Sequence, residues 1–184
     1  MTSAGTRPNI WFTSDQHIGH GNILNFVSSV DGKPVRPGIR DVVHMHERII
    51  DGWNESIKDD DVVYCGGDIG WKKNSLEYVM PKLNGRKRLI LGNHDTLPMR
   101  IYQQFFQKIV CIKEINDGHS AVIASHYPLH EDSLPWRYKD KSVNVHGHIH
   151  ERVLDDPRYV NMCVEPNDYK PIHLDTLLAK ARAL

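Results

Sequence analysis

The feature that most constrains this chain is a recurrence: five short apolar runs each break off at histidines, carboxylates or an asparagine, groups that are costly to bury without a partner. The runs are NIWFTS at 9–14, DVVYCGG at 61–67, RLILGN at 88–93, AVIASH at 121–126 and SVNVHG at 142–147, followed by a sixth, YVNMCV, at 159–164. Their lengths and their Val, Ile and Tyr content suit strands buried on both faces. Between the first two, Val42, Met45, Ile49, Trp53 and Ile57 recur at three- and four-residue steps and predict the longest helix over 41–57. Shorter helices are expected from Ser75 as N-cap, with Pro81 kinking or ending it, over 99–107, and from Asp175 as cap through Leu177, Leu178 and Ala181. The stretch 30–38, rich in Pro, Gly and charge, reads as a loop.

Strands alternate with helices early and crowd together later. The expected class is therefore α/β, a mixed β-sheet sandwich flanked by helices rather than a purely parallel sheet. With 184 residues, 40% of them apolar, the chain can bury one core, so residues 1–184 are expected to form one domain. The cysteines, Cys65, Cys111 and Cys163, lie in or beside apolar runs and are expected in the core. Their odd, sparse number fits a reducing compartment.

The chemistry sits where the runs end. Asp15 and His17, two apart after the first run, share a side of the chain and can grip one ion together. Asp68 follows Gly66 and Gly67, whose size lets the backbone turn sharply and bring to the sheet's rim a carboxylate able to bridge two cations. Asn93, His94 and Asp95 end the third run, His126 the fourth, and His146, His148 and His150 cluster at the fifth. In open α/β sheets ligands gather outside the carboxyl ends of strands, so one site is expected from these five segments. Any one of these residues alone would read as a turn former. Together, buried without a cation, they would leave many polar groups unpaired.

In that order and spacing the blocks DxH (15–17), GD (67–68), GNHD (92–95), H (126) and GHIH (147–150) resemble the calcineurin-like metallophosphoesterase superfamily, in its compact bacterial and phage branch. The resemblance spans nearly the whole chain and implies the αββα form of the sandwich. It also implies one ion on Asp15, His17 and His150, a second on Asn93, His126 and His148, and Asp68 bridging. Family members often carry a further acid after GD, where this chain has Ile69, Gly70 and Trp71. His94, left without an ion, becomes the candidate to meet a phosphoryl oxygen or protonate the leaving group, with Asp95 orienting its ring.

Two divalent ions about 3.5–4 Å apart suit hydrolysis of phosphate esters. The nitrogen and oxygen donors favour Mn, Fe, Zn or Ni over Mg or Ca. The expected substrate is a small or nucleotide-like phosphate ester; a non-catalytic metal-containing interaction scaffold on the same fold is the alternative. His20, Asn22, Arg36 and Arg40 could touch substrate or be solvated loop residues, and Trp71, His130, Trp136, Arg137 and Tyr138 could form a stacking rim or simply pack. Asn144 or Asn161 could support ligands, and His44 and His46 are expected to be exposed. With 23 basic and 23 acidic residues the chain has no net charge to recommend duplex nucleic acid or a membrane surface. The start MTSAGTRPNIWF lacks a signal-like apolar run, so a cytoplasmic location is expected.

Overall fold

A computed structural model describes residues 8–135, 138 and 141–184. Two mixed sheets face each other. The first has the order β4-β3-β2-β1-β9, built from β1 (Ile10–Thr13), β2 (Val62–Cys65), β3 (Arg86–Ile90), β4 (Lys108–Val110) and β9 (Ile172–His173). Strands β1 to β4 run parallel and β9 pairs antiparallel with β1. The second has the order β5-β6-β7-β8, from β5 (Ile112–Asn116), β6 (Ala121–Ser125), β7 (Ser142–His146) and β8 (Tyr159–Asn161); only β5 runs against the rest.

Strands β2, β6 and β7 are buried at every residue; β2 and most of β6 are apolar, whereas β7 also buries Ser142, Asn144 and His146. One core layer joins the sheets through Phe12, Val62, Tyr64, Ile90, Val122, Ala124, Val143 and Val145, and takes in Leu177, Leu178 and Ala181 of α4 (Leu174–Arg182). The other lies outside the first sheet, where α1 (Val42–Ser56) contributes Met45, Ile49 and Trp53, and α2 (Lys73–Val79) contributes Leu76 and Val79. The chain is thus the α/β sandwich flanked by helices that its patterning predicts.

Helix α1 spans the expected stripe and is capped by Asp41, whose carboxylate accepts from the His44 N–H. The other helices differ from expectation at their ends. Helix α2 begins two residues before Ser75, which does not cap it, and Pro81 turns its end into a 3-10 helix at Met80–Lys82. Helix α3 is only Met99–Tyr102, because the chain must leave it to enter β4. For α4 the cap is His173, whose ring accepts from the Asp175 N–H, so Asp175 lies in the first turn instead.

Three strands escaped the periodicity. β4 and β5 are edge strands with Lys and Glu among half-exposed positions, and β9 has two residues. Between β4 and β5 the chain crosses from one sheet to the other at Cys111, which is therefore exposed, whereas Cys65 and Cys163 are buried. His46 is also a correction: it is buried on α1, and its Nε2 accepts from the Gly19 N–H. Among the described residues no helix is long and apolar enough to cross a membrane.

Candidate metal centre

The carboxyl ends of β1, β2, β3, β6 and β7 meet at one rim. There the two sheets are stitched together: Ser14 bridges Cys163 in parallel, donating its N–H to the Met162 carbonyl and accepting from the Val164 N–H. This join lets side chains from both sheets close on one point. Two groups of potential ligands result, Asp15 with His17 and His150, and Asp68 with His126 and His148; within each, one donor atom per residue lies within 4.8 Å of the others. Asp68 stands between them, its Oδ2 lying 3.8 Å from His17 Nε2 and 3.5 Å from His126 Nε2. Asn93 joins the second group, with its Oδ1 2.8 Å from His126 Nε2.

The backbone bends to make this possible. Among the described residues seven non-glycine residues have positive φ, and five of them are Asp15, His17, Asp68, His148 and His150. Such conformations cost about 1–3 kcal/mol each and persist only where the surroundings impose them. Two glycines leave room for the carboxylates: a Cβ on Gly92 would collide with Asp68 Oδ1, and one on Gly147 with Asp15 Oδ2.

Each carboxylate divides its oxygens. Asp15 Oδ2 accepts from the His148 N–H and the Cys163 thiol, leaving Oδ1 buried without a partner. Asp68 Oδ1 accepts from the His94 N–H, leaving Oδ2 among the rings. The imidazoles are sorted likewise. His126 Nδ1 faces the Gly66 carbonyl at 2.8 Å, which can only accept, so Nδ1 carries the proton and Nε2 turns a lone pair toward Asn93 and Asp68. His150 Nδ1 meets Glu165 Oε1 at 3.1 Å, freeing its Nε2. Both ring nitrogens of His17 are buried and unpartnered.

Lone pairs facing one another in a buried space repel unless a cation sits between them. The unpartnered Asp15 Oδ1 and His17 nitrogens, with the His126–Asn93–Asp68 convergence, therefore fit divalent cations in both groups. The electrostatics agree. Burial works to raise the Asp15 pKa, but His17, His150 and His126 hold it well below the usual carboxylate range. Burial lowers His17 and His148, keeping those rings neutral and able to ligate.

A buried guanidinium ties the first group together. Arg36 donates to the carbonyls of Asp15 and Gln16 and to Glu165, the carboxylate that fixes His150. Both side chains are almost wholly buried. Arg36 is thus neither a solvated loop residue nor free to meet substrate. Glu165 escaped the sequence reading because it lies in no histidine-bearing block; its place after YVNMCV was the available signal. Asn161 acts similarly, its Nδ2 donating to the His150 and Arg152 carbonyls, while Asn144 braces the Leu129 N–H and the Ser125 hydroxyl.

Asp95 does not orient His94. Its carboxylate accepts from the N–H groups of Gly92, Asp68 and Ile69, clamping the GNHD turn to the GD turn, and burial raises its pKa to about 6, with the Asp68 charge adding to the rise. The His94 ring is exposed at the mouth, 5.1 Å from Trp71, which packs 4.3 Å from His20. Asn22 and Arg40 are exposed. His130 is exposed and caps a short turn rather than joining Trp71; Trp136 and Arg137 fall outside the described residues.

Two mixed sheets with this constellation at their joined rim define an α/β class with a candidate metal centre, and the chain belongs to the family of the mycobacteriophage gene 66 proteins. Within it, the chain is similar to the gene 66 protein of Mycobacterium phage D29, 32% identical over a match that covers 84% of this chain and 86% of that one. The gene 66 protein of phage L5 is 30% identical over 79% of each chain, and the uncharacterized protein MJ1445 of Methanocaldococcus jannaschii is 27% identical over 92% of this chain and 89% of its own. Among solved structures, the Aquifex aeolicus protein AQ665, described as of unknown function, superposes with a TM-score of 0.70 at 26% identity, covering 92% of this chain and 97% of that one. No family profile matches.

Proposed function

We propose that this protein is a metal-dependent phosphoesterase, hydrolysing small or nucleotide-like phosphate esters in the cytoplasm, with residues 1–184 as one catalytic domain. The observation that carries the reading is the convergence of unpartnered donors: Asp15, His17 and His150 would hold one cation, Asn93, His126 and His148 a second, and Asp68 would serve both. Bound there, two divalent cations would supply Lewis-acid polarisation of a phosphoryl group and a lowered pKa for the attacking water. The mixed nitrogen and oxygen donors favour Mn, Fe, Zn or Ni over Mg or Ca.

The protein's own groups do the rest. The fixed tautomers of His126 and His150 keep Nε2 basic and aimed inward without reorganisation. His94 is held at the mouth by its N–H bond to Asp68 while its ring stays exposed, within reach of a phosphoryl oxygen or a departing alkoxide that needs a proton. Hydrolysis of bis(p-nitrophenyl) phosphate and p-nitrophenyl phosphate with Mn, Ni, Zn or Mg tests this. Activity restored by Mn or a similar metal, lost in Asp68→Ala and reduced about 10²–10⁴-fold in kcat by His94→Ala, is expected. Wild-type protein that binds two ions yet hydrolyses neither ester would make the chain a non-catalytic scaffold.

A further inference from the structure

Beside the metal centre, two adjoining hollows of about 520 and 610 Å³ open between the segments 25–35 and 149–154. They share Ile149, Glu151 and Arg152, and the nearer one has His150 in its wall, so anything filling it touches the centre. The lining is unusual for solvent: Phe26 is 48% exposed, Val27 62%, Val30 73%, Val153 71% and Leu154 39%. Lone exposed aliphatics are ordinary, but a contiguous apolar patch at the edge of a reactive centre marks a binding surface.

A ladder of rings connects the two. Phe26, in the wall of the nearer hollow, lies 5.8 Å from His20; His20 lies 4.3 Å from Trp71, and Trp71 5.1 Å from His94. Charge in the groove is balanced. Asp31 is paired with Lys33 at 2.9 Å, and Glu151 is offset by Arg152, whose guanidinium has, among the described residues, only a 3.4 Å bond from Nε to the Ile149 carbonyl. Apart from that one guanidinium the groove is mostly apolar and nearly neutral, so it accepts an uncharged planar ring, against whose face a guanidinium can also stack.

We propose that this groove binds one organic arm of a phosphodiester, an uncharged planar aromatic group such as a nucleobase, while the phosphoryl group sits on the metal centre. This rests on the phosphoesterase reading and narrows it: a monoester bound through its phosphate alone would leave the groove unused. Binding of stable diesters separates the two ideas, because it needs no turnover. Calorimetry with the Mn-loaded protein should show diphenyl phosphate binding about tenfold tighter than dimethyl phosphate, by burial of ring surface.

In the double variant Phe26→Ser, Val27→Ser, at exposed positions in the wall of the hollow beside His150, the preference should fall to within about twofold, with inorganic phosphate bound as in wild type. Equal affinity of wild type for the two diesters, or full preference in the double variant, overturns the groove. Binding of inorganic phosphate but of neither diester also overturns it, while leaving a phosphomonoesterase standing. Diphenyl phosphate bound with the expected preference, but no ester hydrolysed, upholds the groove and removes the enzyme.

Discussion

At the scale of single residues, this protein's economy is that strained positions and donor positions coincide. His148 has φ 70° and a half-buried ring, so its backbone is held against its own preference. Replacing it by glycine removes the ring and the strain, whereas alanine removes only the ring. In the presence of a chelator, His148→Gly is therefore expected to be more stable than His148→Ala by about 1 kcal/mol in urea unfolding, and equal stabilities would contradict the strain. Glu165 acts through His150. Truncation to alanine should weaken Mn binding at the first group about 10–100-fold by calorimetry, and Glu165→Gln, which can still accept from Nδ1–H, should recover part of the loss. Wild-type affinity in the alanine variant would reduce Glu165 to a packing residue. The histidines and Asp15, Asp68 and Asn93 were legible because each follows an apolar run; Arg36 and Glu165 were not, because an ion pair between residues 129 apart has no local signature.

At the scale of elements, α1 is held at its start and along its buried face. The helix is fastened by its cap at Asp41 and by Trp53, which is buried and donates its indole N–H to the Asn84 carbonyl. Asp41→Ala should cost about 1 kcal/mol and Trp53→Ala about 3–5 kcal/mol in chemical denaturation, since the first loses one cap bond and the second leaves a large cavity. Comparable losses from the two would show that α1 is not anchored through its indole. The α1 stripe was legible because its period is carried by large side chains. The starts of α2 and α4 were misplaced because Ser75 and Asp175 can cap in principle, and the preceding chain decided which residue stands outside the first turn. The edge strands β4 and β5 were illegible because half their side chains face solvent.

At the scale of the whole molecule, stability should respond to metal and to acid at different places. Cations that bind only the folded state raise stability by RT ln(1 + [L]/Kd), so saturating Mn should raise Tm and a chelator should reverse it; a Tm indifferent to both would deny a metal-stabilised rim. Acid acts at the opposite end of β2. Burial works to raise the Asp61 pKa, yet N–H bonds from Lys58 and Asn9 and the indole of Trp11 hold it below its ordinary value. A depressed folded pKa means that the stabilisation is complete above the unfolded value of about 4 and is lost as pH falls through the folded one. Asp61→Asn should therefore be less stable than wild type at pH 7, the gap narrowing below about pH 4; a gap independent of pH would exclude the carboxylate's charge as its cause.

What the sequence determined by itself was the list of parts: buried strands, the long helix, and donor residues placed where strands end, because each of these is written in a run of neighbouring residues. Only the tertiary structure decided which sheet each strand joined, that β1 and β8 would be stitched at Ser14 and Cys163, and that Arg36 and Glu165 would lock Asp15 to His150. The physical reason is that periodicity and turn chemistry act over a few residues, whereas a buried charge chooses its partner by position in space.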